Sequence, residues 1–362
     1  MNESIMRLPV FVLLVIVAIP GRAQRFDTRA IGAFWIVVDK LEQDQPLTDT
    51  LWQAYYDLPG NRKYMEQNRP DEQVAQYRRY LALVFRPSMR DSLPALHKQK
   101  GGPGNDILEN LLYIHDHEAA IRQYMEVVTS NTYLPACIAL ARRYLPAKTN
   151  ALPADLVIYI EAMTFDAAIQ PPNMYFGISA IYDLDRLQKG TLAAHELHHQ
   201  LRGNREIEKR VSSADTVSFA IIEQTNNEGT ADMVDKSIEV AHADSIYNGP
   251  SLVHWLFDDA PTVIRQLDSA FLINASAHEG ERPINYRDIH RMMRYSSGHI
   301  PGFYMANVII RNGGQAALIK VSNNPFGLFE LYNRLAAKDK EHPVLFSDRT
   351  IAYLRGLEKR VY

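Results

Sequence analysis

The most constraining stretch of this 362-residue chain is TLAAHELHHQL, Thr191–Leu201. It contains the pattern H-E-x-x-H at His195, Glu196 and His199. Positions four apart on an α-helix differ by about 40° in azimuth and about 6 Å in height, so one helix presents both imidazoles to a single point. Two imidazoles converging in this way suit a zinc ion, which takes ring nitrogens at about 2.0–2.1 Å. Glu196 lies about 100° around the helix from His195, too far round to share the point easily but placed to reach a water beside it. Leu192, Ala193, Ala194, Leu197 and Leu201 make the helix apolar, which predicts burial, and buried imidazoles need partners. With 12 His and 19 Glu in the chain, the bare pattern is expected by chance roughly 0.02 times. The competing reading is a pair of satisfied core histidines beside a surface glutamate.

A zinc site of this kind needs a third ligand. The next helical stretch reads AIIEQTNNEGTADMVDKSIE, with Glu228 placed 29 residues after His199 and Asp232 four after that. Spacing by four turns both carboxylates the same way. Gly229 and Ala231 are small enough to let another helix approach closely. The reading takes Glu228 as the third ligand and Asp232 as the acceptor behind a ligand histidine, where it fixes the ring tautomer. Asn227 is assigned similar supporting work. Asp232 and Glu223 are the rival third ligands, and a solvated helix face bearing two carboxylates is the structural alternative.

H-E-L-H-H followed by N-N-E-G-T-A-D resembles the gluzincin class of zinc peptidases, the thermolysin-like group, and within it poorly characterised bacterial families of zinc-dependent peptidases. The matching segments are Thr191–Leu201 and Asn226–Asp232. The resemblance implies one zinc ion per chain on His195, His199 and Glu228, with Glu196 as general base. It also implies a sheet whose edge strand binds an extended peptide by strand addition, a role that Met174–Leu184 would fill. Two signatures of better-known gluzincins are missing. There is no G-x-M-E-N segment, EAMTF (Glu161–Phe165) being the nearest approach, and no Asn-Ala-aromatic edge-strand motif. Substrate class is therefore not inherited from either group. No family resemblance is expected over residues 24–150.

Peptide hydrolysis also calls for a donor to the tetrahedral oxyanion, whose loss costs about 3–4 kcal/mol. The segment YSSGHIPGFYMANVI (Tyr295–Ile309) sets His299 and Tyr304 among glycines ahead of an apolar helix, and the two rank equally as that donor. His198 is read as a wall of the pocket, the HDHE run at His115–Glu118 as a solvated helix face, and Cys137 as a core residue. No phosphate-binding glycine loop and no G-x-S-x-G nucleophile elbow is present.

The rest of the chain sets limits. A single cysteine excludes a disulfide framework and any multi-cysteine metal site. A net charge of −3 speaks against electrostatic nucleic-acid binding. Residues 1–23 read as a signal peptide: Arg7, the apolar run Leu8–Ile19, then small residues at Gly21 and Ala23. Cleavage after Ala23 leaves no membrane span and implies export to a bacterial periplasm or medium. Beyond it the expectation is a helical region over 24–150 and a catalytic region over 151–362. Helices are expected through Ile31–Leu41, Asp71–Phe85, CIALARRYL and a long span from Asp106, DILENLLYIHDHEAAIRQYMEVV. KGGPGN (Lys100–Asn105) is a hinge or processing site. Strands are expected at Leu156–Glu161 and Met174–Leu184, with helices from about Leu187. The fold class is mainly α with a small β-sheet beside the site. The leading function is a zinc-dependent hydrolase of peptide or protein substrates. The alternatives are a non-catalytic scaffold holding a peptide or envelope partner, and a zinc hydrolase of non-peptide amides or esters.

Overall fold

The computed structural model describes residues 25–93, 105–203, 212–278 and 280–362. The signal-peptide reading and Lys100–Gly104 of the hinge reading fall outside them. The described residues are mainly helical with a four-stranded sheet, as the sequence pattern predicts. The strands are β1 (Arg25–Asp27), β2 (Val157–Glu161), β3 (Ala167–Gln170) and β4 (Asn173–Gly177). Their order is β1-β2-β4-β3. β2 is parallel to β1 and β4, pairing Phe26 with Ile158 and Ile158 with Met174, while β3 runs antiparallel to β4.

β2 matches the β-branched run expected there. The expected strand Met174–Leu184 is corrected: it stops at Gly177, and a helix, α8 below, begins at Ile178. The apolar run continues through that junction, so periodicity alone could not divide it. The break falls where a Cβ on Gly177 would stand 2.9 Å from the Thr164 carbonyl carbon, so only glycine lets the strand end there. β4 is also an interior strand, and the edge next to it is β3. The long helix expected from Asp106 is two helices broken at His117, whose backbone leaves the helical region (φ −114°, ψ 16°). His117 Nδ1 lies 2.9 Å from the Tyr113 carbonyl oxygen, and its ring stacks on Tyr113.

The helices, in chain order, are α1 (Arg29–Glu42), α2 (Asp49–Tyr56), α3 (Pro59–Asn68), α4 (Asp71–Phe85), α5 (Asn105–Asp116), α6 (Glu118–Val128), α7 (Tyr133–Ala141), α8 (Ile178–Asp185), α9 (Thr191–Arg202), α10 (Ser213–Ala241), α11 (Gly249–Phe257), α12 (Ala260–Ala275), α13 (Tyr286–Met292), α14 (His299–Gly313), α15 (Gln315–Val321), α16 (Pro325–Ala336) and α17 (Asp348–Val361). Two apolar cores form. The first joins α1–α9 to the sheet and holds Phe34, Phe85, Tyr77, Ile158, Phe176 and Leu197. The second joins α10–α17 around Ile221, Phe271, Phe303, Phe329 and Leu354. Residues 151–201, grouped with the C-terminal region in the sequence reading, share the first core. Cys137 is buried in it, and burial pushes its thiol up to about 12. Among the described residues no helix is long and apolar enough to cross a membrane.

Candidate metal centre

The two cores meet along α9, α10 and the start of α14, and the H-E-x-x-H helix lies at that junction. α9 packs on α7 and on α10, while α10, 29 residues long, packs along α14. α10 and α14 touch backbone to backbone: a Cβ on Gly229 would lie 2.6 Å from Gly302 Cα. The small residue expected to permit a close approach does so at Gly229. Gly298 (φ +107°) precedes α14 where a Cβ would stand 2.6 Å from the Gln224 carbonyl oxygen. Together these contacts set His299, the first residue of α14, beside the Glu228 turn of α10.

Four side chains converge. His195 Nε2 and His199 Nε2 are 3.1 Å apart. Glu228 Oε2 is 3.5 Å from His195 Nε2, 3.3 Å from His199 Nε2 and 3.5 Å from His299 Nε2. His195, Glu228, Asp232 and His299 each offer a ligand atom within 4.8 Å of the others. Behind them stand two carboxylates. Asp235 Oδ1 lies 2.9 Å from His195 Nδ1, and Asp232 Oδ1 lies 2.8 Å from His299 Nδ1. The tautomer-fixing contact expected of Asp232 falls on His299, while Asp235 makes the same contact to His195. Asp235 is seven residues after Glu228, and that further turn carries it under the His195 ring.

These groups fit a metal ion. Glu228 Oε2 is buried with no hydrogen-bond partner among the described residues, although three ring nitrogens face it. The contacts from Nδ1 of His195 and of His299 to carboxylates favour the tautomers whose Nε2 lone pairs aim at the same point. Two lone-pair nitrogens 3.1 Å apart repel each other unless a cation or a proton lies between them. His199 Nδ1 has no partner among the described residues.

The electrostatics agree with a site built for a cation. Burial opposes charge on His195, but Asp235 and Glu228 hold its pKa well above the usual imidazole range. Burial likewise opposes charge on His299, and Asp232 and Glu228 hold it at about 9. Glu228 is buried, yet His199, His195 and His299 hold it well below the usual carboxylate range. Burial raises Glu196. A bound dication would displace the imidazole protons and take over the role of neutralising the carboxylates.

The centre opens into a cleft of about 590 Å³. His195, Glu196, His199, Asn227, Glu228 and His299 line it, with Asp166, Ala167 and Ile169 from the β3 side and Leu252 and Trp255 from α11. It adjoins a second cavity of about 990 Å³ that shares Leu252 and Trp255 and adds Phe165, Tyr247 and Glu109. Asp232 is fully buried behind His299. Asn227 donates from Nδ2 to Glu228 Oε1 (3.5 Å) and accepts from Arg202 (3.0 Å).

Other expected residues stand elsewhere. Tyr304 is not at the cleft: five residues after His299 it has turned about 140° around α14 and packs into the second core. His198 is not a pocket wall: it is fully buried, with Nδ1 donating to the Ala141 carbonyl (3.0 Å) and Nε2 3.1 Å from Thr230 Oγ1. Burial lowers its pKa to about 3, so it stays neutral. Glu223, a rival ligand, is bound to the buried Arg202 guanidinium (2.7 Å). His115 lies against Phe85 and Asp116, away from the cleft.

Four contributors escaped the sequence reading. Asp235 was overlooked although Glu228, Asp232, Asp235 and Glu239 recur at i, i+4, i+7 and i+11, a carboxylate stripe on one helix face. Lys236 sits between Asp235 (2.8 Å) and Glu239 (2.9 Å) and offsets part of that charge. Arg202 ties α9 to Asn226 and Asn227 on α10 and to the Ser322 carbonyl. Tyr295 presents a phenol to the cleft and is 73% exposed, on a loop whose Arg294, Tyr295 and Ser297 all hold positive φ. Such backbone is strained for residues other than glycine and concentrates at functional sites.

No curated protein and no solved structure matches this chain. One family model does, over residues 52–341, a span that holds the whole centre and corrects the expectation of no family resemblance over residues 24–150, since it takes in residues 52–150. The chain belongs to that family, described as "Putative zinc dependent peptidase (DUF5700)".

Proposed function

We propose that this protein is a gluzincin-like zinc peptidase, with zinc on His195, His199 and Glu228 and Glu196 as general base. The observation that carries the reading is the set of three ligand atoms, 3.1–3.5 Å from one another, at the wall of an open cleft. Ligands about 2.0–2.2 Å from a tetrahedral zinc lie about 3.4 Å apart, so these atoms have the spacing of a shared ion. Family membership supports the same chemistry. When bound, zinc supplies a Lewis acid that acidifies water and polarises a carbonyl.

The chain's own residues supply the rest. Glu196 lines the cleft one residue from His195, and burial raises its affinity for a proton, which suits a group that takes a proton from the attacking water and passes it to the leaving amine. β3 ends the sheet order, and its Ala167 and Ile169 line the cleft. That supports an extended peptide adding to β3 as a further strand, so the substrate-binding edge is β3 rather than Met174–Leu184. The adjoining cavity gives such a peptide room beyond the scissile bond. Of the two expected oxyanion donors only His299 lines the cleft, where its Nε2 faces Glu228, and Tyr295 brings a phenolic hydrogen-bond donor there. The proposal includes export through residues 1–23 and a peptide or protein substrate met outside the cytoplasm.

The test is Glu196→Gln in a pooled-peptide cleavage assay. The account expects zinc content unchanged and turnover lost by about 10²-fold or more. Parent-like turnover would remove Glu196 from the mechanism. Zinc binding without cleavage of any peptide by the parent would favour a binding scaffold, and cleavage of amide or ester panels alone would favour non-peptide hydrolysis.

A further inference from the structure

We infer that His299 is a fourth protein ligand of the metal, through Nε2, so that this chain encloses its ion with three imidazoles and one carboxylate. The inference rests on the zinc reading above and adds to it a residue that the three-ligand pattern does not contain.

Position is the first argument. His299 Nε2 stands 3.5 Å from Glu228 Oε2, the same separation as His195 Nε2 from that oxygen. Two atoms that share one tetrahedral metal are about 3.4 Å apart. His299 is thus as close to the carboxylate ligand as an accepted ligand is. The His195 and His299 rings lie 5.7 Å apart, centroid to centroid, with both Nε2 atoms on the Glu228 side.

The second argument is the way the ring is held. His195 Nδ1 meets Asp235 at 2.9 Å and His299 Nδ1 meets Asp232 at 2.8 Å. The two carboxylates are three residues apart on α10, so one helix orients both rings by the same device. A carboxylate on Nδ1 fixes the tautomer whose Nε2 lone pair is free to ligate and makes that nitrogen a better donor to a metal.

Rigidity is the third. His299 opens α14 directly after Gly298, and α14 is clamped to α10 at the Gly229–Gly302 crossing. The ring also lies 6.2 Å from Trp255. A side chain fixed on both sides holds a ligand position well, whereas an oxyanion donor must stand off by the width of the oxygen it serves. His195, His199, Glu228 and His299 would together hold the ion, and a zinc ion so held could still take up a water as a fifth ligand, an expansion that zinc sites make during catalysis.

The test is X-ray absorption at the zinc edge on the zinc-loaded full chain, which counts imidazoles by their multiple scattering, paired with zinc Kd by chelator competition. The inference expects three imidazoles in the parent and two in His299→Ala, whose Kd weakens by more than the roughly 10–100-fold that losing an outer hydrogen-bond partner costs. Circular dichroism of the metal-free variant checks its fold, and the parent spectrum decides the question even if that variant does not fold. Two imidazoles in the parent overturn the inference and leave the zinc site on His195, His199 and Glu228 standing. No bound zinc in the parent overturns both.

Discussion

Gly229 and Gly302 pack backbone to backbone where α10 crosses α14, so that a Cβ on Gly302 would stand 2.6 Å from Gly229 N. One residue from that contact is Glu228, and three residues before Gly302 is His299. The crossing therefore sets the distance between the carboxylate and the third imidazole. Gly302→Ala must push the helices apart, and overpacking of this sort costs about 1–3 kcal/mol. The expected outcome is a lower urea midpoint together with weaker zinc binding. Lowered stability with unchanged zinc Kd would separate the crossing from the site.

Asp235 is fully buried and lies 2.9 Å from His195 Nδ1. Asp235→Asn keeps the shape and removes the charge that makes His195 a strong ligand. Zinc affinity is expected to fall by roughly 10–100-fold while the fold persists. Chelator competition measures it, and a parent-like Kd would show that His195 is oriented by other contacts.

Glu161 carries a pH dependence that lies outside the metal centre. It ends β2, is fully buried, accepts a hydrogen bond from Met163 N, and has its other oxygen unpartnered among the described residues. Burial lifts its pKa to about 8 from an ordinary 4.5. Between those values the folded chain keeps a proton that the unfolded chain releases, so stability from this group is present at low pH and is lost as pH rises toward 8. Glu161→Gln removes the titration. The stability of the variant relative to the parent should grow by about 3 kcal/mol between pH 5.5 and pH 8.5. Urea midpoints at the two pH values measure this, and a constant difference would contradict it.

The centre was readable where local spacing decides geometry. His195 and His199 follow from the i, i+4 rule, and Glu228 from a helix carrying acids and a glycine at the right distance. His299 followed from glycines around a histidine ahead of an apolar helix. Tyr304, ranked beside it, depends on helix phase, and five residues turn it into the second core. Asp235 is hidden for the opposite reason: the i+4 acid, Asp232, already satisfies the spacing argument, while the carboxylate stripe continues to i+7. Met174–Leu184 could not be divided because an apolar run shows the same pattern in a buried strand and a buried helix. The packing of residues 151–201 with the N-terminal helices rests on pairing such as Phe26 with Ile158, a contact between distant segments that no local window contains.

The central claim is that one zinc ion is held by His195, His199 and Glu228. Zinc content of the purified protein by mass spectrometry, with Glu228→Ala and Glu196→Gln alongside, tests it most directly. The account predicts one zinc per chain in the parent and in Glu196→Gln, and loss of zinc in Glu228→Ala. No zinc in the parent after zinc is offered, or full zinc in Glu228→Ala, would contradict it.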